Sequence, residues 1–163
     1  SINPTLRFSH APNSINGTWN YSDNLNSYNN LSLFYTYQEV LAINLKEDYT
    51  YYHSRQSGIN NGNFSNQLLA TAISASANCT KKFTIGSNIT YNHATSTGSA
   101  ATKFTIWNAN ATYRLMKGNN LELKVAALDL LHQNTSINNY GYNNMLTHNT
   151  ANVLQQYFMF TFS

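Results

Sequence analysis

The sequence predicts an all-β protein, an antiparallel transmembrane β-barrel built as a meander. Apolar and polar residues alternate along many segments, as in strands with one apolar and one polar face. Only 9% of the 163 residues are charged and 13% are aromatic, whereas soluble domains have about 25% charged residues. No apolar run reaches the ~18 residues of a membrane helix. Together these observations favour strands that cross a bilayer.

The cleanest alternation lies in Phe83–Asn92. Two further segments, Leu121–Leu131 and Asn152–Ser163, alternate in the same way over most of their lengths. The apolar members are predicted to face lipid: Phe83, Ile85, Ile89, Leu121, Leu123, Val125, Phe158, Phe160 and Phe162. The polar members are predicted to face the lumen of the barrel: Thr84, Asn88, Thr90, Glu122 and Lys124.

About nine strands are expected, joined by turns and loops that alternate in length. The predicted strands are Ser1–His10, Ile15–Ser22, Leu31–Tyr37, Leu41–His53, Asn66–Cys79, Phe83–Asn92, Thr102–Leu115, Leu121–Leu131 and Asn152–Ser163. Short turns are expected near residues 11–14, 38–40, 80–82 and 116–120, and longer loops near 23–30, 54–65, 93–101 and 132–151. Phe104 and Ile106 fall out of phase, which suggests a bulge near Ile106.

This sorting of connections is typical of bacterial outer-membrane barrels, which have short periplasmic turns and longer extracellular loops. A soluble β-sandwich would also use alternating strands and is the alternative. Nine strands place residue 1 outside and the last residue in the periplasm. Because complete bacterial barrels have an even number of strands, the chain is expected to be the C-terminal part of a larger barrel. An eight-stranded closed barrel is the alternative only if Ser1–His10 is not a membrane strand.

Aromatic residues concentrate toward the ends of the predicted strands, where barrels carry girdles at the membrane interfaces. The predicted interface aromatics are Trp19, Tyr35, Tyr37, Tyr49, Tyr51, Tyr91 and Tyr113. The simpler alternative is that Tyr is favoured in any sheet.

Charged and metal-binding residue types give little support for other functions. The net charge is +3 with scattered Lys and Arg, so no nucleic-acid partner is expected. Cys79 is the only cysteine, and the histidines lack ligand spacing; those near loops are either a metal-capturing rim or solvated side chains. No catalytic, cofactor-binding or metal-binding residue is predicted, and the protein is not expected to be an enzyme.

Each of three sets of charged residues has two structural interpretations. Glu122 and Lys124 either line a permeation path or form an ion pair facing the lumen, and Lys46 and Asp48 are read in the same way. Asp129 is expected to be a solvated or turn-capping carboxylate.

The last third of the chain resembles the C-terminal region of Bacteroidetes outer-membrane β-barrel proteins of the TonB-dependent receptor type. The residues that carry the likeness are Leu121–Val125, Asp129–Ile137, Asn152–Leu154 and Tyr157–Phe162. His132 departs from the Asn that is usual in that family, and Gln156 from a common basic residue.

The resemblance implies a bacterial outer-membrane location, a barrel of about 22 strands and TonB-dependent uptake of a nutrient. The TonB system would be contacted through a plug domain that this sequence lacks. The other partners expected are outer-membrane lipid and, in the alternative of a non-transporting barrel, other subunits of a larger secretion or surface-protein complex.

Overall fold

Ten β-strands are present in the part of the chain that the structure describes. The structure, a computed structural model, describes residues 1–15, 17–58, 62–115, 121–134, 137–142, 145–150 and 156–163. The strands are β1 (Ile2–Ile15), β2 (Thr18–Tyr37), β3 (Leu41–Ser57), β4 (Gly62–Asn78), β5 (Phe83–Ser96), β6 (Thr102–Leu115), β7 (Leu121–Leu128), β8 (Ile137–Tyr142), β9 (Met145–Thr150) and β10 (Tyr157–Phe162).

Eight of these strands form one antiparallel sheet in the order β1-β2-β3-β4-β5-β6-β7-β10, and β8 pairs with β9 in a separate hairpin. The predicted all-β antiparallel meander is therefore confirmed. Within the described residues β1 and β10 are the two edges and do not pair with each other, so the sheet is open.

The described part of the chain has almost no interior. Phe64 and Ala126 are its only buried apolar residues, whereas 24 large apolar or aromatic side chains are exposed. A β-sandwich needs a second sheet packed on the first, with a core between them. The eight-stranded sheet has no such second layer, so the described residues do not form the alternative sandwich.

Strand β2 corrects the predicted start of the chain. A strand at Ile15–Ser22, a loop at 23–30 and a strand at Leu31–Tyr37 were expected, but Thr18–Tyr37 is one continuous strand. It pairs with β1 from Thr18 to Leu31 and with β3 from Tyr21 to Tyr37. The segment 23–30 has a polar composition like that of a loop, but both of its neighbours supply backbone hydrogen-bond partners.

Other boundaries also differ from the prediction. The turns at 38–40 and 80–82 and the limits of β6 are confirmed, but the expected loops at 54–65 and 93–101 are much shorter. The bulge near Ile106 is absent, because β5 and β6 pair without a break from Phe83–Tyr113 to Ala94–Thr102. The expected loop at 132–151 contains the β8–β9 hairpin. The expected turn at 116–120 and residues 152–155 of the predicted last strand lie outside the described residues.

The two ends of the sheet can be named by their connections. The turn end carries the 38–40 and 79–82 turns, and the hairpin end is where β7 leaves toward β8 and β9. Ser1 bonds to Ser32, and Ser163 bonds to Glu122, so both described termini lie at the turn end. The predicted placement of residue 1 at the opposite end is wrong because β2 is one strand rather than two. Apart from the long last connection, the predicted sorting of connections by length is also wrong.

The two faces of the sheet differ in chemistry, and the strand register defines them. Directly paired residues share a face, so the row Leu41, Ala77, Ile85, Ala111, Val125 and Phe160 lies on one side. We call the side with this row the apolar face. The row Asn44, Ser74, Asn88 and Asn108 lies on the other side, which we call the polar face.

Burial within the eight-stranded sheet is concentrated on its polar face. The buried strand residues, Asn20, Ser22, Ser54, Phe64, Thr112 and Ala126, all lie on that face by register. Neighbouring side chains converge on the concave side of a curved sheet, so we infer from this burial that the sheet curves around its polar face.

The strands are also staggered. The row from Leu41 to Val125 begins at Tyr37–Leu41, the pair that closes the β2–β3 turn. Four strands further along the sheet, the same row passes through Ala111 in β6. The pair next to the β6–β7 connection is Leu115–Leu121, four positions closer to the turn end than Ala111. The turn end therefore steps by one residue per strand, so the strands run obliquely to the line of their turns.

Candidate functional site

All nine residues predicted to face lipid lie on the apolar face of the sheet. Phe83, Ile85 and Ile89 face it from β5, and Leu121, Leu123 and Val125 face it from β7. The β10 residues Phe158, Phe160 and Phe162 pair with Ala127, Val125 and Leu123 on the same side. Contact with lipid stays a prediction, but these residues do form one continuous surface.

The five residues predicted to face a lumen lie together on the polar face. In β5 the Asn88 side-chain amide donates to Ser74 Oγ at 2.7 Å, and Thr90 Oγ1 donates to Asn88 Oδ1 at 3.3 Å. Thr84 Oγ1 donates to Asn78 Oδ1 at 2.8 Å. Neutral hydroxyl and amide groups thus satisfy one another across the strands.

The ion pairs differ from those considered from the sequence. Glu122 pairs with Arg114 of β6, whose Nε lies 3.2 Å from Glu122 Oε2, and not with Lys124. Alternation shows which residues share a face, but the pairing of β6 with β7 decides which residues meet, and it puts Arg114 opposite Glu122.

Asp48 likewise does not pair with Lys46. Its Oδ1 accepts the Tyr28 hydroxyl at 2.9 Å and the Asn30 amide at 2.7 Å. Among the described residues Lys46 and Lys124 form no ion pair, so the polar face presents free cations.

The seven predicted interface aromatics all lie on the apolar face, in two groups. Tyr35, Tyr37 and Tyr113 lie near the turn end, and Trp19, Tyr51 and Tyr91 lie toward the hairpin end, whereas Tyr49 lies at the middle of β3. Between the groups the face is mostly Leu, Ile and Ala. The exposed Glu47 interrupts it next to Leu31 and Thr71, and Asp23 lies on the same face farther along β2.

The described histidines are strand residues on the apolar face and not loop residues, except His132. His53 contacts Ser65 Oγ through Nδ1 at 2.8 Å, and His10 bonds to Asp23. In the described ranges no three His, Cys, Asp or Glu side chains are grouped to hold a metal ion. The side chain of His148 lies outside what the structure describes.

Asp129 organises a turn that sequence reasoning underestimated. It is 3% exposed and has a φ of 50°, so it caps a turn but is not solvated. Its Oδ1 accepts the Gln133 backbone N–H at 3.1 Å and its Oδ2 accepts that of Asn134 at 3.0 Å. Its own N–H donates to Asn108 Oδ1 at 2.9 Å.

The same turn is fastened to β6 by two further hydrogen bonds. The Leu130 N–H donates to the Trp107 carbonyl at 2.8 Å, and the Thr105 N–H donates to Gln133 Oε1 at 3.1 Å. The motif Asp129–Asn134 therefore ends β7 and sets where the long connection leaves the sheet. The sequence signal for this turn was Asp129, followed four residues later by Gln133.

The apolar face also has a shallow depression of about 500 Å³. Small side chains form its floor and larger ones its borders: Ala75, Ala77, Ser87, Ala109, Ala111 and Ala127 lie between Leu41, Ile85, Trp107, Val125 and Phe158. The Trp107 indole N–H donates to Ser87 Oγ at 2.9 Å. The pair satisfies the indole donor without water.

No family model, curated protein or solved structure matches this chain. The described residues include no helix with the length and apolar content needed to cross a membrane.

Proposed function

We propose that the chain forms part of the wall of a transmembrane β-barrel in the bacterial outer membrane. The observation that carries the proposal is the separation of apolar and polar side chains onto opposite faces along the eight-stranded sheet. In a barrel the apolar face contacts lipid and the polar face lines the lumen. Of the 24 exposed large apolar or aromatic side chains, the 17 that lie on the apolar face then form a lipid-facing surface.

Stagger and curvature support closure into a barrel. A sheet closes only if its strands tilt and its hydrogen-bond register shifts around the circumference. The step of one residue per strand and the concave polar face fit this geometry. Unpaired backbone groups are costly in lipid, so we expect the β1 and β10 edges to pair with further strands of the intact barrel.

The long connection sets the orientation. Outer-membrane barrels place their longer loops outside and their short turns in the periplasm. The hairpin end, from which residues 129–156 leave the sheet, therefore faces outside, and the turn end with both described termini faces the periplasm.

The leading function is TonB-dependent uptake of a nutrient, and it rests on the resemblance in Asp129–Ile137 and Tyr157–Phe162. The polar face would line the route of the nutrient with the amides and hydroxyls of residues such as Asn88 and Thr90. The plug domain that contacts the TonB system is expected elsewhere in the full-length protein.

A non-transporting barrel that scaffolds a larger outer-membrane complex is the second candidate. The alanine-floored depression on the apolar face favours it, because small residues let another membrane protein approach closely. In this case the contacts with other subunits lie on the outer surface of the barrel, and no substrate passes through the lumen.

Fractionation of membranes and depletion of TonB test these proposals. The full-length protein is expected in the outer-membrane pellet after a carbonate wash, with an intact mass several-fold above the 18.4 kDa of this chain. Recovery in the aqueous fraction without detergent contradicts the barrel. Loss of nutrient uptake on TonB depletion supports transport, whereas unaffected uptake together with co-purified membrane subunits supports the scaffold.

A further inference from the structure

Basic side chains occupy the apolar face at its hairpin end, one position beyond the tyrosine that ends the apolar stretch. In β5 the apolar stretch runs from Phe83 to Tyr91, nine positions, and His93 is the next residue on that face. A membrane-crossing strand needs about 9–11 residues. Lys103 lies directly opposite His93 in β6. In the proposed barrel this pair lies at the depth of the lipid headgroups.

Strand β3 repeats the arrangement. Its stretch on the same face runs from Leu41 to Tyr51, eleven positions, and is followed by His53 and Arg55. Tyr51 and His53 stack with ring centroids 6.4 Å apart, and Tyr91 and His93 approach at the same distance. The two strands thus share the order of Tyr followed by His; Arg55 then follows in β3, whereas the strong base beside His93 is Lys103 in the neighbouring strand, and the β3 stretch is interrupted by Glu47.

These bases have no acidic partners in the described part of the chain. The two ion pairs there are His10–Asp23 and Arg114–Glu122. Asp23 lies opposite Arg55 in the register but its bonded oxygen contacts His10. Lys103 lies directly opposite His93, so an anion between the two side chains can accept hydrogen bonds from both.

We propose that the basic rim, which consists of the pair His53 and Arg55 in β3 and the pair His93 and Lys103 across β5 and β6, binds phosphate groups of phosphorylated glycolipids in the outer leaflet at these two places. The inference rests on the proposed barrel, since it requires the apolar face to contact lipid and the hairpin end to face outside. The Arg55 guanidinium and the Lys103 ammonium supply charge-assisted hydrogen bonds to phosphate oxygens. The imidazoles add N–H donors, and the acyl chains lie against the apolar face below.

The test uses the intact protein, purified in detergent, and lipid A carrying or lacking its phosphates. Bound lipid is measured by native mass spectrometry as the lipid concentration rises. Arg55→Ala/Lys103→Ala removes two positive charges from the basic rim. Lys46→Ala/Lys124→Ala removes two from the polar face and is the matched control.

The expected result is a loss of about tenfold or more in affinity for phosphorylated lipid A in Arg55→Ala/Lys103→Ala, which corresponds to at least one charge-assisted hydrogen bond. The control variant binds like the unmodified protein, and lipid without phosphates binds the unmodified protein as weakly as the rim variant binds phosphorylated lipid. Unchanged electrophoretic mobility of the unheated variants verifies their fold.

Two results would overturn the inference. Equal affinity of the rim variant and the unmodified protein removes the rim as a phosphate site, and equal losses in both variants indicate attraction by net charge alone. Either result, obtained with a protein that fractionates with the outer membrane, leaves the barrel proposal standing. A protein found in the aqueous fraction instead contradicts the barrel itself.

Discussion

The Asn88 side-chain amide lies 2.7 Å from Ser74 Oγ across β4 and β5, while Ile85, three positions away along β5, points to the opposite side. This relationship fixes which side of the sheet offers hydrogen-bond partners to a polar group. It also gives the most direct test of the two faces.

Arginine substitutions at these two positions are expected to differ in cost. Ile85→Arg exposes a charge on the apolar face and should lower the free energy of unfolding in lipid vesicles by about 2–4 kcal/mol if it lies near the midplane. Asn88→Arg should lose about 1 kcal/mol with its hydrogen bond, because its charge remains on the polar face. Urea titration of the full-length protein measures both. Equal losses would contradict the assigned faces.

Glu47 and Asp48 are adjacent carboxylates on opposite faces, so replacing each with Leu should change stability in opposite directions. Glu47→Leu removes an exposed charge from the apolar face and is expected to stabilise the protein in vesicles by about 1 kcal/mol. Asp48→Leu deprives Tyr28 and Asn30 of their acceptor and should destabilise by about 1–3 kcal/mol. The same urea titration applies, and a shift in one direction for both variants would refute the assignment.

Loss of the Asp129 carboxylate is expected to destabilise the end of β7. Asp129→Ala removes the acceptor of two backbone N–H groups in a buried turn, at a cost of about 1–3 kcal/mol. Asp129→Gly separates this loss from backbone strain, because Gly adopts the positive φ freely. Asp129→Asn keeps one oxygen acceptor and should lose least. Proteolysis rates at residues 129–134 give the readout; a Gly variant as resistant as the unmodified protein would show that the carboxylate is dispensable.

Arg114 and Glu122 should be coupled weakly, and Lys124 should not be coupled to Glu122. Both members of the pair are about one-third exposed, so a double-mutant cycle of Arg114→Ala and Glu122→Ala should give about 0.2–1 kcal/mol. The parallel cycle with Lys124→Ala is expected to give a value near zero. Stronger coupling of Glu122 to Lys124 would restore the pairing considered from the sequence.

Alternation predicted the two faces correctly where a strand has apolar residues on one face and polar residues on the other. In Phe83–Asn92 all six residues that were predicted to face lipid or the lumen lie on the face to which they were assigned, because a period of two leaves only two assignments. Beyond such stretches the pattern disappears while the pairing continues. Segment 23–30 of β2 was therefore read as a loop, although the strand is continuous there.

Side-chain partners and turn geometry were less accessible from the sequence. Glu122 meets Arg114 because of the register between β6 and β7, which alternation within one strand does not encode. The two N–H groups bound by Asp129 come from residues four and five positions later, in a turn whose backbone angles had no periodic pattern to predict them. The β8–β9 hairpin lies in a segment rich in Asn and lacking clear alternation.

Leu128 and Tyr157 are direct cross-strand partners, so the chain departs from the sheet and rejoins it at neighbouring points on one edge. Lengthening the intervening segment should therefore cost little stability, because the entropy of closing a loop grows only slowly with its length. The turn at Asp129–Asn134 secures its entry point to β6. An epitope or reporter peptide grafted after Asn134 would thus be displayed at the hairpin end with the β7–β10 register intact.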